Sequence, residues 1–293
     1  MSDLKYGIMS SGRLGAICTE QLIDSKRVNF VLTDKLSDAI IDLCNKNNIP
    51  VFIGNPRNEK IAEFLENFAT DILLSINYLY IVTEVVINHA KKYAINLHGS
   101  LLPKYRGRTP HVWAIINNEN ETGISAHLIS DECDSGSIIY QEAIKIDTND
   151  TGSSVLEKFM QRYPVIINKV IGMIDDNSIK PIQQDHTKAT YFGKRTALDG
   201  EINWNWQRER LNNWIRAQAY PYPGAFTFYE NKKVVVQRIE FSDQGFTQED
   251  ANGKILDSGQ MIVKTPNGAV KIVEMENDDK MIFETGKLFH AGH

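Results

Sequence analysis

Between residues 6 and 97 the chain repeats one rhythm: a short apolar run, a turn, then apolar residues at helical spacing. Read this way, strands fall over 6–9, 28–32, 50–53, 71–76 and 94–97, with helices over 14–23, 36–44, 61–68 and 83–90 between them. A strand that returns to a parallel neighbour needs a crossover, and a helical crossover packs back on the sheet. The alternation therefore predicts an α/β fold with a Rossmann-like, mostly parallel sheet and helices on both faces. A long helix follows over 155–174, then an extended crossing over 181–190. The rhythm stops at Asp199-Gly200. One helix remains, with Leu211, Trp214, Ile215 and Gln218 on one side, followed by strand-like runs over 225–229, 234–239, 254–256, 261–264, 269–275 and 280–283. Turns at Glu230-Asn231, Asp257-Ser258-Gly259, Pro266-Asn267-Gly268 and Asn277-Asp278-Asp279 separate several of these runs, the pattern of a small barrel or sandwich. Two domains are expected, 1–198 and 199–293, with Trp204, Trp206 and Trp214 in the core of the second.

Length and charge narrow the partners. The 293 residues are enough for two cores. The formal net charge of -5 argues against nucleic acid as the main partner, because such binding usually relies on a basic face. No run approaches the ~18 apolar residues that cross a bilayer. The start MSDLKYGIMS is unlike a signal peptide, and Cys18, Cys44 and Cys133 form neither a CxxC pair nor an even set. The expectation is a cytoplasmic protein with no membrane partner and no bound metal.

The first turn, Ser10-Ser11-Gly12-Arg13-Leu14-Gly15, leads from a strand into a helix, where backbone amides can hold an anion. It is not G-x-G-x-x-G, no acidic residue follows the second strand in the ribose-binding role, and a Walker A loop is missing. A nicotinamide cofactor or ATP is poorly supported. The turn fits either a plain tight turn or an anion-binding loop.

The densest chemistry lies in NLHGSLLPKYRGRTP, residues 96–110. Asn96 and His98 are two apart at a strand end, so they share a face. In open α/β sheets ligands bind beyond the carboxyl ends of strands. Asp134 sits in a polar turn between strand-like runs over 122–129 and 137–140. If that turn folds beside residue 98, an amide donor, an imidazole and a carboxylate converge, which are the parts needed for acyl transfer. Taken singly, a strand-end histidine and an Asp-Ser-Gly turn are commonplace. No G-x-S-x-G elbow is present.

The run from Asn96 to Gly107 resembles the N-x-H-x-S-L-L-P-x-Y-R-G signature of the 10-formyltetrahydrofolate-dependent formyltransferases. Asp134-Ser135-Gly136-Ser137-Ile138 is similar to that family's D-x-G-x-I loop. Asp199-Gly200-Glu201-Ile202-Asn203-Trp204, Arg216-Ala217 and Pro221-Tyr222-Pro223-Gly224-Ala225-Phe226 resemble the opening of its C-terminal domain. The resemblance implies a formyltransferase domain over 1–198 and a barrel related to the OB fold over 199–293. It implies catalytic roles as well: Asn96 for the oxyanion, His98 for the proton of the attacking amine, and Asp134 for orienting His98 and helping to shuttle protons as tetrahydrofolate leaves. The co-substrate would be 10-formyltetrahydrofolate, with Asn77, Tyr78 and Asp134 on its side of the site.

Within that family the amine varies. Transfer-RNA formyltransferases usually carry a long basic insertion after the second strand, whereas residues 32–36 here are only Leu-Thr-Asp-Lys-Leu. Glycinamide ribonucleotide formyltransferases are typically one shorter domain. The segment Tyr191-Phe192-Gly193-Lys194-Arg195 is more similar to sugar formyltransferases, including one acting on 4-amino-arabinose. The expected partner is a nucleotide-linked amino sugar, foremost a dTDP-4-amino-4,6-dideoxyhexose, as used in O-antigen or lipopolysaccharide biosynthesis. A homodimer is compatible with this reading.

Ser10, Gly12, Arg13 and Arg106 are candidates for the sugar-nucleotide diphosphate, although Arg106 fits equally a structural role bracing its loop. Tyr220 and Tyr222 could stack on a pyrimidine or simply pack beside their prolines. The alternatives are methionyl-tRNA or UDP-4-amino-arabinose as acceptor, a non-catalytic sugar-nucleotide binding protein, and a metallohydrolase built on His98 and Asp134 with His111 or His127. The spacing of that last set matches no common zinc motif.

Overall fold

A computed structural model describes residues 4–277 and 281–291. In chain order the elements begin with strand β1 (Lys5–Ser10), helix α1 (Gly12–Ser25), β2 (Arg27–Thr33), α2 (Asp38–Lys46), β3 (Val51–Ile53), α3 (Lys60–Glu66), β4 (Thr70–Ile76), α4 (Glu84–Ile87) and β5 (Ala90–His98). They continue with β6 (Arg106–Gly107), α5 (Pro110–Ile116), β7 (Glu121–Leu128), β8 (Ile138–Lys145), α6 (Gly152–Asp175), β9 (Tyr191–Phe192) and α7 (Arg208–Ala217). The last five strands are β10 (Ala225–Tyr229), β11 (Lys232–Ser242), β12 (Ile255–Asp257), β13 (Ile262–Thr265) and β14 (Gly268–Glu276).

The chain forms two compact units, and its path passes between them repeatedly. The first comprises Met1–Gly107, Thr122–Ile144 and Glu157–Tyr191; the second comprises Arg108–Glu121, Lys145–Leu156 and Phe192–His293.

The first unit is organised by a seven-stranded sheet in the order β3-β2-β1-β4-β5-β7-β8. Strands β3, β2, β1, β4 and β5 are parallel, and β7 joins β5 antiparallel. The central strands β1 and β4 are buried along nearly their whole length, as strands covered on both faces must be. Met9, Phe30, Leu32 and Leu73 on the sheet pack with Ile61 and Leu65 of α3 and Val86 of α4. Helices α1 and α6 are joined by Gln21, which donates to Pro164 O at 3.1 Å and Asn168 Oδ1 at 2.6 Å.

Several elements depart from the sequence reading, three of them helices. The helix expected over 83–90 is only α4, because Ala90 already pairs with Thr70 as the start of β5. Helix α2 starts at Asp38, since Asp34 Oδ1 accepts the Leu36 amide at 2.8 Å and holds residues 34–36 in a turn. Helix α5 has no counterpart in the reading; Pro110 at its first turn starts it.

The second unit carries a five-stranded sheet, β10-β11-β14-β13-β12, antiparallel throughout. Trp204 lies in its core with Leu211, Ile215, Tyr229, Val236 and Phe289, while Trp206 and Trp214 pack against that core half-buried. Two residues of the turn expected at 277–279 and the first residue of the strand expected over 280–283 are residues 278–280, outside the described residues. Residues 281–283 are not strand; bridges Lys254↔Leu288 and Phe228↔His290 engage the sheet instead. No helix is long and apolar enough to cross a membrane among the described residues.

Candidate active site

Strand β5 runs out at His98, and its antiparallel pairing with β7 sets Asn96 opposite His127 and His98 opposite Ser125. Side chains two apart on a strand share a face, and directly paired residues share it too. Asn96, His98 and His127 therefore stand together at the end of the sheet. The turn between β7 and β8 supplies Asp134. Its φ of +53° lies in the left-handed region, which Asp tolerates better than most residues. Two residues on, a Cβ at Gly136 would clash with the Leu128 carbonyl, so only glycine lets the turn close there.

The geometry of these groups is specific. His98 Nε2 lies 2.8 Å from the Tyr105 carbonyl oxygen. A carbonyl only accepts, so the ring proton is on Nε2 and the Nδ1 lone pair faces Asp134 Oδ2 at 3.5 Å. His127 Nδ1 likewise donates to the Leu128 carbonyl at 2.8 Å, leaving Nε2 to accept from Asn96 Nδ2 at 3.1 Å. The other Asn96 N–H points at Asp134 Oδ1, 3.3 Å away. Asp134 Oδ2 also accepts the Gly107 amide at 2.9 Å and the Cys133 thiol at 3.3 Å.

Electrostatics follow from burial and these contacts. Burial pushes the His98 pKa below its ordinary value, against the opposing pull of the Asp134 carboxylate and the Tyr105 carbonyl. The resting imidazole is neutral. Burial alone would raise the Asp134 pKa, but His98, His127 and the Gly107 amide outweigh it and hold the carboxyl well below the usual range. A neutral base thus stands beside a fixed negative charge. A proton taken up at Nδ1 would form an ion pair at once.

The other sequence-proposed residues are placed as follows. Ser10 is buried, with its hydroxyl 2.8 Å from Thr19 Oγ1. The Gly12 amide donates to Ser37 Oγ at 2.9 Å, and Ser37 Oγ donates in turn to Asp34 Oδ2 at 2.7 Å. Asp34, just after β2, is thus occupied within the loop. Arg13 is largely exposed and pairs with Glu157 at 3.0 Å. Asn77 Nδ2 donates to Ser11 O at 3.0 Å, tying the loops after β4 and β1 together. Tyr78 packs on the aromatic core around Phe30. Arg106 is fully buried, its guanidinium donating to Tyr191 Oη at 2.5 Å, Gln184 Oε1 at 2.6 Å and His186 Nδ1 at 3.3 Å. In the second unit Tyr220 is exposed and Tyr222 Oη lies 2.9 Å from His111 Nε2.

Two residues of the site were outside the sequence reading in these roles. The sequence alone offers His127 only as a metal ligand; the signal for its position is the pairing of 96 with 127, which needs the strand register. Gln184 lies in the expected crossing, yet its Nε2 donates to the carbonyls of Asp134 at 2.8 Å and Gly136 at 2.7 Å. Among the described residues no group of three or more His, Cys, Asp or Glu is disposed to hold a metal ion.

The chain is 36% identical over 232 residues to the bifunctional polymyxin resistance protein ArnA of Wigglesworthia glossinidia brevipalpis; this covers 79% of the chain and 35% of ArnA. The chain thus spans about a third of the length of that curated relative. Its fold is similar to an N-formyltransferase from Helicobacter canadensis, solved with folinic acid and dTDP-3-aminofucose. The TM-score is 0.73 at 20% identity, over 93% of this chain and 100% of that one. A 4-N formyltransferase from Francisella tularensis superposes with a TM-score of 0.69 at 21% identity, over 80% of this chain and 96% of the other. Residues 24–171 match the family described as formyl transferase, and residues 194–291 match the C-terminal domain described for it. Asn96, His98 and Asp134 all fall within the first matched segment, and the chain belongs to the formyl transferase family.

Proposed function

We propose that this protein moves a formyl group from 10-formyltetrahydrofolate to the amine of a nucleotide-linked amino sugar, with a dTDP-4-amino-4,6-dideoxyhexose as the leading acceptor. The observation that carries this reading is the convergence of Asn96, neutral His98 and ionised Asp134 at the end of β5. Each group matches one demand of the chemistry. The amine lone pair attacks the formyl carbon, a C–N bond forms, and negative charge develops on the formyl oxygen. The Asn96 N–H held loosely by Asp134 is the donor placed to meet that oxygen, since its sister N–H is anchored on His127. His98 Nδ1 takes the proton the amine must lose. The bond from carbon to the folate nitrogen then breaks, and the same proton goes to the leaving nitrogen. Asp134 stabilises the imidazolium between these two transfers.

The sugar nucleotide is supported by the company the chain keeps: the Helicobacter enzyme binds a dTDP-amino sugar, and the Francisella enzyme is a 4-N formyltransferase. A UDP-4-amino-arabinose acceptor is the second reading, supported by the resemblance of Tyr191-Phe192-Gly193-Lys194-Arg195 to the sugar formyltransferase acting on 4-amino-arabinose. The net charge of -5 disfavours methionyl-tRNA. The proposed division of labour is a transferase domain over 1–198 and a C-terminal domain over 199–293. Asn77 and Tyr78 are assigned to the folate side. Ser10, Gly12, Arg13, Tyr220 and Tyr222 remain the proposed sugar-nucleotide contacts, whereas the burial of Arg106 supports the bracing role for that residue.

The test is a panel of dTDP- and UDP-linked 3- and 4-amino sugars and methionyl-tRNA, each incubated with 10-formyltetrahydrofolate and read by product mass. A mass gain of one formyl group on a dTDP-4-amino sugar is expected. Formylation of the tRNA alone would overturn the acceptor, and no formylated product with any acceptor would overturn the reaction.

A further inference from the structure

The segment from Ile182 to Tyr191 lies between the two stretches that match the formyl transferase family, yet within the first unit it crosses both loops of the site. It begins with Ile182 and Ile138 exchanging backbone hydrogen bonds, both 2.8 Å, at the start of β8. It ends at Thr190, whose hydroxyl accepts the Tyr105 amide at 2.8 Å and whose carbonyl accepts the Arg106 amide at 2.9 Å. Between these ends Gln184 is buried, with its whole amide engaged. Nε2 donates to the carbonyls of Asp134 and Gly136, and Oε1 accepts from Arg106 Nη2.

The direction of that amide is dictated chemically. A guanidinium can only donate, so Arg106 must take the oxygen of Gln184 and turn its NH2 toward the Asp134 turn. Arg106 is itself held by Tyr191 and His186 from the same segment. Residues 105, 106 and 107 then each serve one member of the site. The Tyr105 carbonyl anchors His98, the Arg106 side chain orients Gln184, and the Gly107 amide binds Asp134. The turn at Asp134 is in the left-handed region and is closed on itself by Ser135, which reaches the Glu132 carbonyl and the Ser130 hydroxyl; the Gly107 amide holds its carboxylate, and the two carbonyls caught by Gln184 tie its backbone to the Arg106 side chain of the His98 loop.

We propose that Gln184 is a positioning residue: it locks the turn carrying Asp134 to the loop that anchors His98, and so sets where the carboxylate stands relative to the imidazole. The inference rests on the formyl-transfer reading for its kinetic consequence, but the lock itself is a property of the folded protein. A displacement of about 1 Å at a reacting group can cost on the order of 100-fold in rate.

Two near-isosteric variants test it. Gln184→Glu keeps an acceptor for Arg106 but removes both donors to the turn; Gln184→Met removes donors and acceptor alike. Both are expected to lower kcat about 10- to 100-fold with KM within about threefold, because the groups that move act on the reacting atoms and not on ligand affinity. A wild-type kcat in Gln184→Glu would overturn the proposal, since filling space and satisfying Arg106 would then suffice. So would a raised KM at unchanged kcat. The second readout needs no activity: titration of the His98 imidazole by nuclear magnetic resonance in the full chain. The ionisable groups facing that ring are Asp134, His127 and Arg106, and Gln184→Met removes none of them. His98 is expected to titrate at lower pH in the variant than in wild type, because the carboxylate supports its protonated form less well. An unchanged midpoint overturns the lock. If wild-type protein formylates no acceptor, the functional reading fails while this titration still decides the structural one.

Discussion

At the scale of single residues, the site is an arrangement of lone pairs. His98 and His127 each commit one ring nitrogen to a main-chain carbonyl, and that commitment fixes what the other nitrogen can do. Removing Asn96 as Asn96→Ala should lower kcat on the order of 100- to 1,000-fold, the range for losing one preorganised oxyanion donor. His98→Gln, which cannot cycle a proton, should cost about 100- to 10,000-fold. Both would be read as kcat on a formylated product, with circular dichroism to establish that the fold persists. His127→Ala should cost less, roughly tenfold, because the Asn96 amide keeps Asp134 but loses its anchor and can turn over. A His127→Ala enzyme as slow as Asn96→Ala would mean that the ring itself meets the reacting atoms. The pH dependence has a definite sign. His98 must be unprotonated to accept a proton, and burial lowers its pKa. The acidic limb of kcat should therefore lie below the ordinary histidine range, with activity lost as pH falls through it. A limb above that range would contradict the neutral imidazole.

At the scale of elements, the parallel core was legible because each strand and helix carries its own period. β1, β2 and β4 fall within a residue or two of the expected spans. What could not be read was whatever depends on pairing between distant elements. The register that sets His127 opposite Asn96 joins two residues 31 apart in sequence. Likewise Arg106, a residue type found mostly at surfaces, is buried only because 184, 186 and 191 return to it. The convergence of Asn96, His98 and Asp134 was visible as a motif resemblance; the geometry that holds them was not. The β7–β8 turn offers a test at this scale. Gly136→Ala would drive a methyl group into the Leu128 carbonyl, and backbone cannot swing aside as a side chain can. A destabilisation of about 1–3 kcal/mol is expected by denaturant titration, together with loss of activity beyond that of a folded Gly245→Ala control, whose Cβ meets open space.

At the scale of the whole molecule, acid should destabilise the protein through histidines buried in neutral form. In the second unit His111 lies against Tyr222, and burial lowers its pKa from 6.5 to about 4. The unfolded chain binds the proton more readily, so the contribution is fully present above pH 6.5 and is lost as pH falls toward 4. A gap of that size corresponds to about 3 kcal/mol. His111→Gln should flatten the fall in unfolding free energy between neutral and acid pH, whatever it does to stability at neutrality. An unaltered slope would show that other groups carry the acid sensitivity.

The interleaved path of the backbone has a consequence of its own. The second unit borrows 108–121 and 145–156 from the middle of the polypeptide, so neither body owns one uninterrupted stretch. Melting either one tugs on threads that belong to the other. Scanning calorimetry should accordingly record a single endotherm, and a protease nick inside a borrowed thread should lower the transition temperature of everything at once.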